Sequence, residues 1–300
     1  MPSVSRADFL VGSDSTNRVL RYNDTGAYLG VFASGGGLIA PVGLLYGHDG
    51  DLLVASNTTH QVLRYDGVTG AFKSVFASGG GLLSPSGMAF APSGDLIVGS
   101  YSNDRVLRYD GVTGAFKSVF TSGGGLDNPY DLVFGTGGDL FVSSQQTSQI
   151  LRYDGVTGAF EGVFASVGGR PRSLTFGTDG DLFVTRDLTN QVLRFDGSTG
   201  AFKGFFATAI DPYGLTFGLG GDLFVASRGG DNKILRFDGV TGASKGVFAS
   251  VGAPDAPNFL LFTPAVAVPE PTSIVLIGTG GVALLAFVRR RSARAKGTAA

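Results

Sequence analysis

The sequence predicts an all-β fold, a six-bladed β-propeller of four-stranded blades, on three observations: a period of 41 to 44 residues, four short apolar runs in each period, and turn chemistry wherever a run ends. The Asp that opens each copy stands at Asp8, Asp51, Asp95, Asp139, Asp181 and Asp222. A period of that length marks a propeller or a solenoid, and four antiparallel strands in about 40 to 45 residues match one propeller blade. A short C-terminal transmembrane helix is expected beyond the ring, dividing the chain into a propeller, 8–263, and a tail, 264–300.

The copy that follows Gly94 justifies each strand in turn. Residues 95–100, 105–110, 116–121 and 131–134 are rich in Val, Leu, Phe and Tyr and read as strands. Between them lie Ser-Asn-Asp, Asp-Gly-Val-Thr-Gly, a Gly-rich loop ending in Pro129, and Gly-Thr-Gly-Gly, where Gly supplies positive φ. The first copy lacks its first strand locally and begins at Asp8 with the strand that is second elsewhere. Residues 257–262 repeat the pattern of 212–217 and supply the missing strand, so the ring is expected to close by pairing the two ends.

Composition narrows the function classes. The 300 residues include 49 Gly, no Cys and no Trp, with 43% hydrophobic and 16% charged residues. That is core enough for one repeat domain, and it excludes a disulfide framework and thiolate chemistry. Without the five basic residues and the one Glu of the tail, 18 basic face 23 acidic groups, a net charge of about −5. Nucleic acid is therefore not an expected partner.

Comparing the copies separates scaffold from candidate site, because every blade needs the scaffold and a propeller usually builds one site. Arg21, Arg64, Arg108, Arg152, Arg194 and Arg236 recur in all six copies and read as a structural ring of hydrogen bonds and ion pairs. The Asp-Gly-Val-Thr-Gly runs lack calcium-loop spacing and read as tight turns. Strand order puts the Pro loops and the loops after the second strands on one face and the Gly-Asp and Asp-Gly turns on the other. The residues flanking each Pro differ between blades. Asn128, Tyr130, Asp131, Arg170, Arg172, Asp211 and Tyr213 come from three consecutive blades and form the ligand-binding candidate, a mixture of aromatic and charged groups on loops of a rigid scaffold.

The search for catalytic groups returns none, and no metal or cofactor is expected. His48 belongs to the turn face and His60 to the loop face, so they do not converge. Glu161 is the one Glu outside the tail and stands where other copies carry Lys73, Lys117, Lys203 and Lys245, a position read as solvated. Without a paired carboxylate, His/Glu pair or Ser/His arrangement at the channel mouth, acid/base and nucleophilic schemes lack players.

The tail changes character: Pro269-Glu270-Pro271, then 272–288 without a charge, then Arg289, Arg290 and Arg291, followed by Arg294 and Lys296. Seventeen residues would span roughly 25 Å as a helix, short of the roughly 30 Å hydrocarbon core but within range. The basic end, 289–296, would stay cytoplasmic and the propeller would lie outside the inner membrane.

The order Pro-Glu-Pro, apolar helix, Arg cluster resembles a bacterial PEP-CTERM sorting signal. The resemblance implies recognition by an exosortase-type membrane protease, removal of the tail and display at the surface or in extracellular polymer. Such proteins also carry an N-terminal signal peptide; MPSVSRA does not read as one, and the resemblance implies either a start further upstream or an incomplete N-terminus. The recurring Pro-x-Gly-Leu, Gly-Asp-Leu-Phe-Val and Gln-Val-Leu-Arg-Tyr are similar to NHL-type propellers and their gluconolactonase and streptogramin-lyase relatives. Gluconolactonase-like members hold a divalent metal with a Glu and an Asn/Asp set on central strands, and the lyases use a His with a Glu near the channel. This sequence supplies neither set, which favours a binding or matrix protein, with extracellular polysaccharide or protein as ligand, over a lactonase- or lyase-like enzyme.

Overall fold

The computed structural model describes residues 8–230 and 232–263. Six four-stranded antiparallel sheets follow one another in chain order. The repeated Val-Leu-Arg-Tyr/Phe runs form the third strand of each blade, with the Val and the aromatic residue buried and the Arg partly exposed. Burial along most of its length is what a strand between two neighbouring sheets needs, since both of its faces pack.

The first blade closes the ring. Its inner strand, Pro257–Thr263, pairs antiparallel with Asp8–Ser13, which continues to Arg18–Asn23 and the outer Tyr28–Ser34. The other inner strands are Pro41–Tyr46, Pro85–Phe90, Pro129–Phe134, Pro171–Phe176 and Pro212–Phe217. Each touches the next, and the strand Pro257–Thr263 touches both Pro212–Phe217 and Pro41–Tyr46, so the inner strands encircle an axis.

The core is distributed among six clusters of buried side chains, each lying between two adjacent blades. Phe9, for example, sits 4.5 Å from Phe224 and 5.0 Å from Phe262, joining the first blade to the sixth. The third-strand tyrosines carry a further tie: the hydroxyls of Tyr65, Tyr109 and Tyr153 donate to the carbonyls of Gly35, Gly79 and Gly123 at 2.8 to 2.9 Å. Burial pushes the Tyr65 hydroxyl up to about 12. Every outer strand is bulged against its neighbour, which bends the exposed edge away from pairing with another chain.

The transmembrane helix expected at 272–288, the basic end and the Pro269-Glu270-Pro271 triplet lie outside the described residues. Among the described residues no helix is long and apolar enough to cross a membrane.

Candidate functional site

The two faces of the ring are built differently. On the turn face, each recurrent Arg meets the Asp that opens its blade: Arg64 Nε lies 2.5 Å from Asp51, Arg194 Nε 2.6 Å from Asp181 and Arg236 Nε 2.6 Å from Asp222. The second Asp of each repeat caps its own turn instead. Asp66 Oδ1 accepts the amides of Val68 and Thr69 and the Thr69 hydroxyl, and those bonds hold its carboxyl well below the usual range. Lys73, Lys117, Lys203 and Lys245 then bridge the two Asp residues of their blades.

Blade four breaks that pattern. Glu161 replaces the lysine and, exposed as the sequence suggests, pairs with Arg152 at 2.8 Å. Carboxylate oxygens of Asp139, Asp154 and Glu161 lie within 4.8 Å of one another, the residues on this face whose donor set suits a metal. Beside them a cleft of about 400 Å³ opens between blades four and five, lined by Asp139, Arg152, Phe141, Asp181, Asp196 and Lys203. His48 stacks on Phe90 at 4.0 Å on this side, whereas His60 accepts the Ser84 amide through Nδ1 at 3.0 Å on the other.

The loop face is where the blades differ. Backbone bonds from Asn57 to Ala40, Tyr101 to Ser84, Gln145 to Asn128 and Arg228 to Asp211 tie the loop after the second strand to the adjoining Pro loop in four of the six blades. Two sets of side chains therefore gather at the mouth of the axis. The residues after each Pro are Val42, Ser86, Tyr130, Arg172, Tyr213 and Asn258; those after each second strand are Asp14, Asn57, Tyr101, Gln145, Asp187 and Arg228.

Tyr130, Asn258, Asp14, Arg228, Tyr213, Arg172 and Asp187 form one connected network. The Tyr130 hydroxyl donates to Asn258 Oδ1 at 2.6 Å, from blade four to blade one, so the bond crosses the axis. Asn258 Nδ2 donates to Asp14 at 3.1 Å, and Asp14 receives both terminal nitrogens of Arg228 at 2.9 and 3.1 Å. The guanidiniums of Arg172 and Arg228 lie over the Tyr213 ring at 4.2 and 4.3 Å, and that of Arg172 lies 4.9 Å from the Tyr130 ring. Arg172 also donates to the Tyr213 hydroxyl at 3.1 Å and meets Asp187 at 2.8 Å, where Arg170 joins at 3.0 Å. The tyrosine rings thus hold arginines in place, and burial pushes the Tyr130 hydroxyl up.

Three of the expected site residues have local duties. Asn128 and Asp211 sit at φ 52° and 48°, left-handed turns that Asn and Asp tolerate, with their amides bound by Asp104 and Asn190. Asn128 Nδ2 donates to the Tyr101 carbonyl at 2.8 Å. Asp131 lies between the inner strands of adjacent blades. Its carboxylate accepts the Ser173 hydroxyl at 2.6 Å and the amides of Leu174 and Leu132 at 3.0 and 2.9 Å. Blade three must yield to it: a Cβ on Gly87 would stand 2.4 Å from Asp131 Oδ1. Burial without a cationic partner pushes the Asp131 carboxyl up to about 6 despite those bonds.

Tyr130, Arg170, Arg172 and Tyr213 do meet at the mouth. Sequence reasoning missed Asp14, Tyr101, Gln145, Asp187 and Arg228. Their signal was present, since the residue after each second strand takes five identities in six copies, varying as freely as the residues flanking each Pro.

Comparison with known proteins divides the chain similarly. Residues 267–292 match the PEP-CTERM protein-sorting motif. That motif is recognised by exosortase-type sorting machinery, marks an exported protein and directs membrane-anchored sorting to the surface or the exterior. No curated protein matches the chain in sequence. Solved structures similar to the ring include a Bacteroides caccae protein of unknown function, 14% identical with TM-score 0.69, covering 86% of this chain and 99% of that one. A chain of a nidogen/laminin complex is 14% identical with TM-score 0.73, covering 86% and 98%. A catalytically inactive Staphylococcus aureus virginiamycin B lyase, solved with quinupristin, is 18% identical with TM-score 0.62, covering 88% and 93%. At these identities the likeness establishes the propeller fold and nothing of its chemistry.

Proposed function

We propose that this protein is a surface- or matrix-associated binding protein that presents the loop face of an NHL-like propeller, 8–263, on a sorting tail, 264–300, that exosortase-type processing removes. The observation that carries the reading is the contrast between the faces. A scaffold alone needs six similar blades, and the turn face is nearly that; the loop face instead concentrates three arginines, two aspartates and three tyrosines around the axis. Charged and aromatic groups on loops of a rigid ring are suited to recognition of an extracellular polysaccharide or protein. The nidogen/laminin chain, a propeller of similar shape found in a protein complex, supports an interaction role. Among the described residues of the mouth, the carboxylates of Asp14 and Asp187 pair with arginines and no histidine is present, an arrangement that favours binding over a lactonase- or lyase-type site.

Glycan-array and pull-down screening with the full chain in detergent tests the reading. A ligand lost on Tyr213→Ala supports it. Retention of every captured ligand by Tyr130→Ala, Arg172→Ala and Tyr213→Ala moves the site elsewhere, and metal-dependent lactone hydrolysis by the purified protein replaces the reading with an enzymatic one.

A further inference from the structure

The mouth holds more recognition chemistry than its own network consumes. Gln145 is only 2% exposed; its Oε1 accepts the Tyr101 hydroxyl at 3.0 Å, while its Nε2 has no partner. Asp187 is 6% exposed, and its Oδ2 takes both Arg170 and Arg172 while its Oδ1 has no partner. Buried polar atoms without partners are few in native proteins, and each calls for an ion, a water or a ligand group. A buried donor on blade four and a buried acceptor on blade five, in the same loop position of adjacent blades, form a ready pair for a hydroxyl-bearing ligand.

Charge narrows the class. Arg228 and Asp14 are matched one to one, but Arg170 and Arg172 converge on the single oxygen Asp187 Oδ2. Asp131, on the inner strand of the adjacent blade, is committed to the Ser173 hydroxyl and two strand amides. Arg170 is the more exposed of the two guanidiniums sharing Asp187, with its side chain 42% exposed against 12% for Arg172. It is the group free to turn toward an incoming anion, and a planar guanidinium fits a carboxylate by two parallel hydrogen bonds.

Taking the mouth as the ligand site, as proposed above, we infer that it recognises a hexuronate unit of an acidic polysaccharide. The sugar carboxylate pairs with Arg170, one ring hydroxyl donates to Asp187 Oδ1, and another accepts from Gln145 Nε2. A neutral sugar fills the hydroxyl positions but leaves the guanidinium unanswered, and a cationic ligand is opposed by it.

Isothermal titration of the full chain in detergent with trigalacturonate and with its methyl ester tests the class, since the two share every ring hydroxyl and differ at the carboxyl groups. The acid should bind at least about tenfold more tightly than the ester, and Arg170→Gln should bring the two together in a protein that stays folded, since Arg172 still pairs with Asp187. Gln145→Glu, which sets a carboxylate beside the ligand, should abolish binding of the acid. Equal or tighter binding of the ester, lost on Tyr213→Ala, overturns the uronate class and leaves the mouth as the site. Preference for the acid that survives both Arg170→Gln and Tyr213→Ala overturns the class and the location together. Absence of binding by either trisaccharide overturns the uronate class, and the array and pull-down then judge the mouth independently.

Discussion

Replacing Asp131 by asparagine should change the pH dependence of stability more than stability at any one pH. Asp131 is fully enclosed between blades four and five, and its carboxyl is pushed up to about 6, against 3.8 for the free group. The folded state therefore holds a proton that the unfolded state has released throughout the interval between those values. Stability from this group is fully present below pH 3.8 and is lost as pH rises through about 6. A difference of roughly two units corresponds to about 3 kcal/mol in all, of which about 2 kcal/mol falls between pH 4 and pH 7.5. Carboxyls held low by turn bonds, such as Asp196 at about 2, are common to the wild-type protein and the variant and cancel in their difference. Asparagine has one acceptor where Asp131 uses two oxygens for three donors, so the variant leaves a strand donor unpaired, a penalty that does not vary with pH. Urea unfolding of both proteins at steps from pH 4 to 7.5 isolates the ionisation as the slope of their difference. The wild-type protein should lose about 2 kcal/mol relative to the variant on going from pH 4 to pH 7.5. Parallel curves would refute the claim that Asp131 carries an uncompensated buried charge.

Further expectations concern the ring, the ladder and the tail. Leu260, 3% exposed on the closing strand, should cost as much to truncate as Leu215, 4% exposed inside the chain: about 2–5 kcal/mol each on mutation to Ala by urea unfolding. A near-neutral Leu260→Ala would mean that the closing strand is not integral to the ring. Arg64→Ala should lower the melting temperature and leave ligand affinity unchanged, because Arg64 bonds Asp51 on the turn face; loss of binding with an unchanged melting temperature contradicts that role. Mass spectrometry of surface-displayed protein from its own host should find no peptide from 294–300, and Glu270→Ala should retain the tail; an intact tail on displayed protein means that it is a permanent anchor.

The sequence announced the ring because propeller architecture repeats its causes: the same Val-Leu-Arg-Tyr strand, the same Gly turns and the same opening Asp recur, and the displaced strand at 257–262 identifies itself by likeness to 212–217. The arginine ring was legible for the same reason, and the opening Asp of each copy is its partner. The mouth was legible only in part. Tyr130, Arg172 and Tyr213 stood out as departures from a repeat, but the bond from Tyr130 to Asn258 joins residues 128 positions apart across the axis, a relation that no local pattern carries. Asp131 looked like a ligand group, whereas the missing side chain of Gly87 gives it room to sit inward and tie blade four to blade five. Glu161 departs from a row of lysines, and its pairing with Arg152 depends on the neighbouring strand register.

The claim that ligand recognition centres on the loop face is tested most directly by hydrogen exchange of the full chain with and without the ligand recovered from the array or pull-down. The account predicts slowed exchange at residues 128–132, 170–174 and 211–214 and in the loops that begin at Asp14, Gln145, Asp187 and Arg228. Slowed exchange confined to the Asp-Gly turns at 66–70, 110–114, 154–158 and 196–200, with the loop face unchanged, would contradict it.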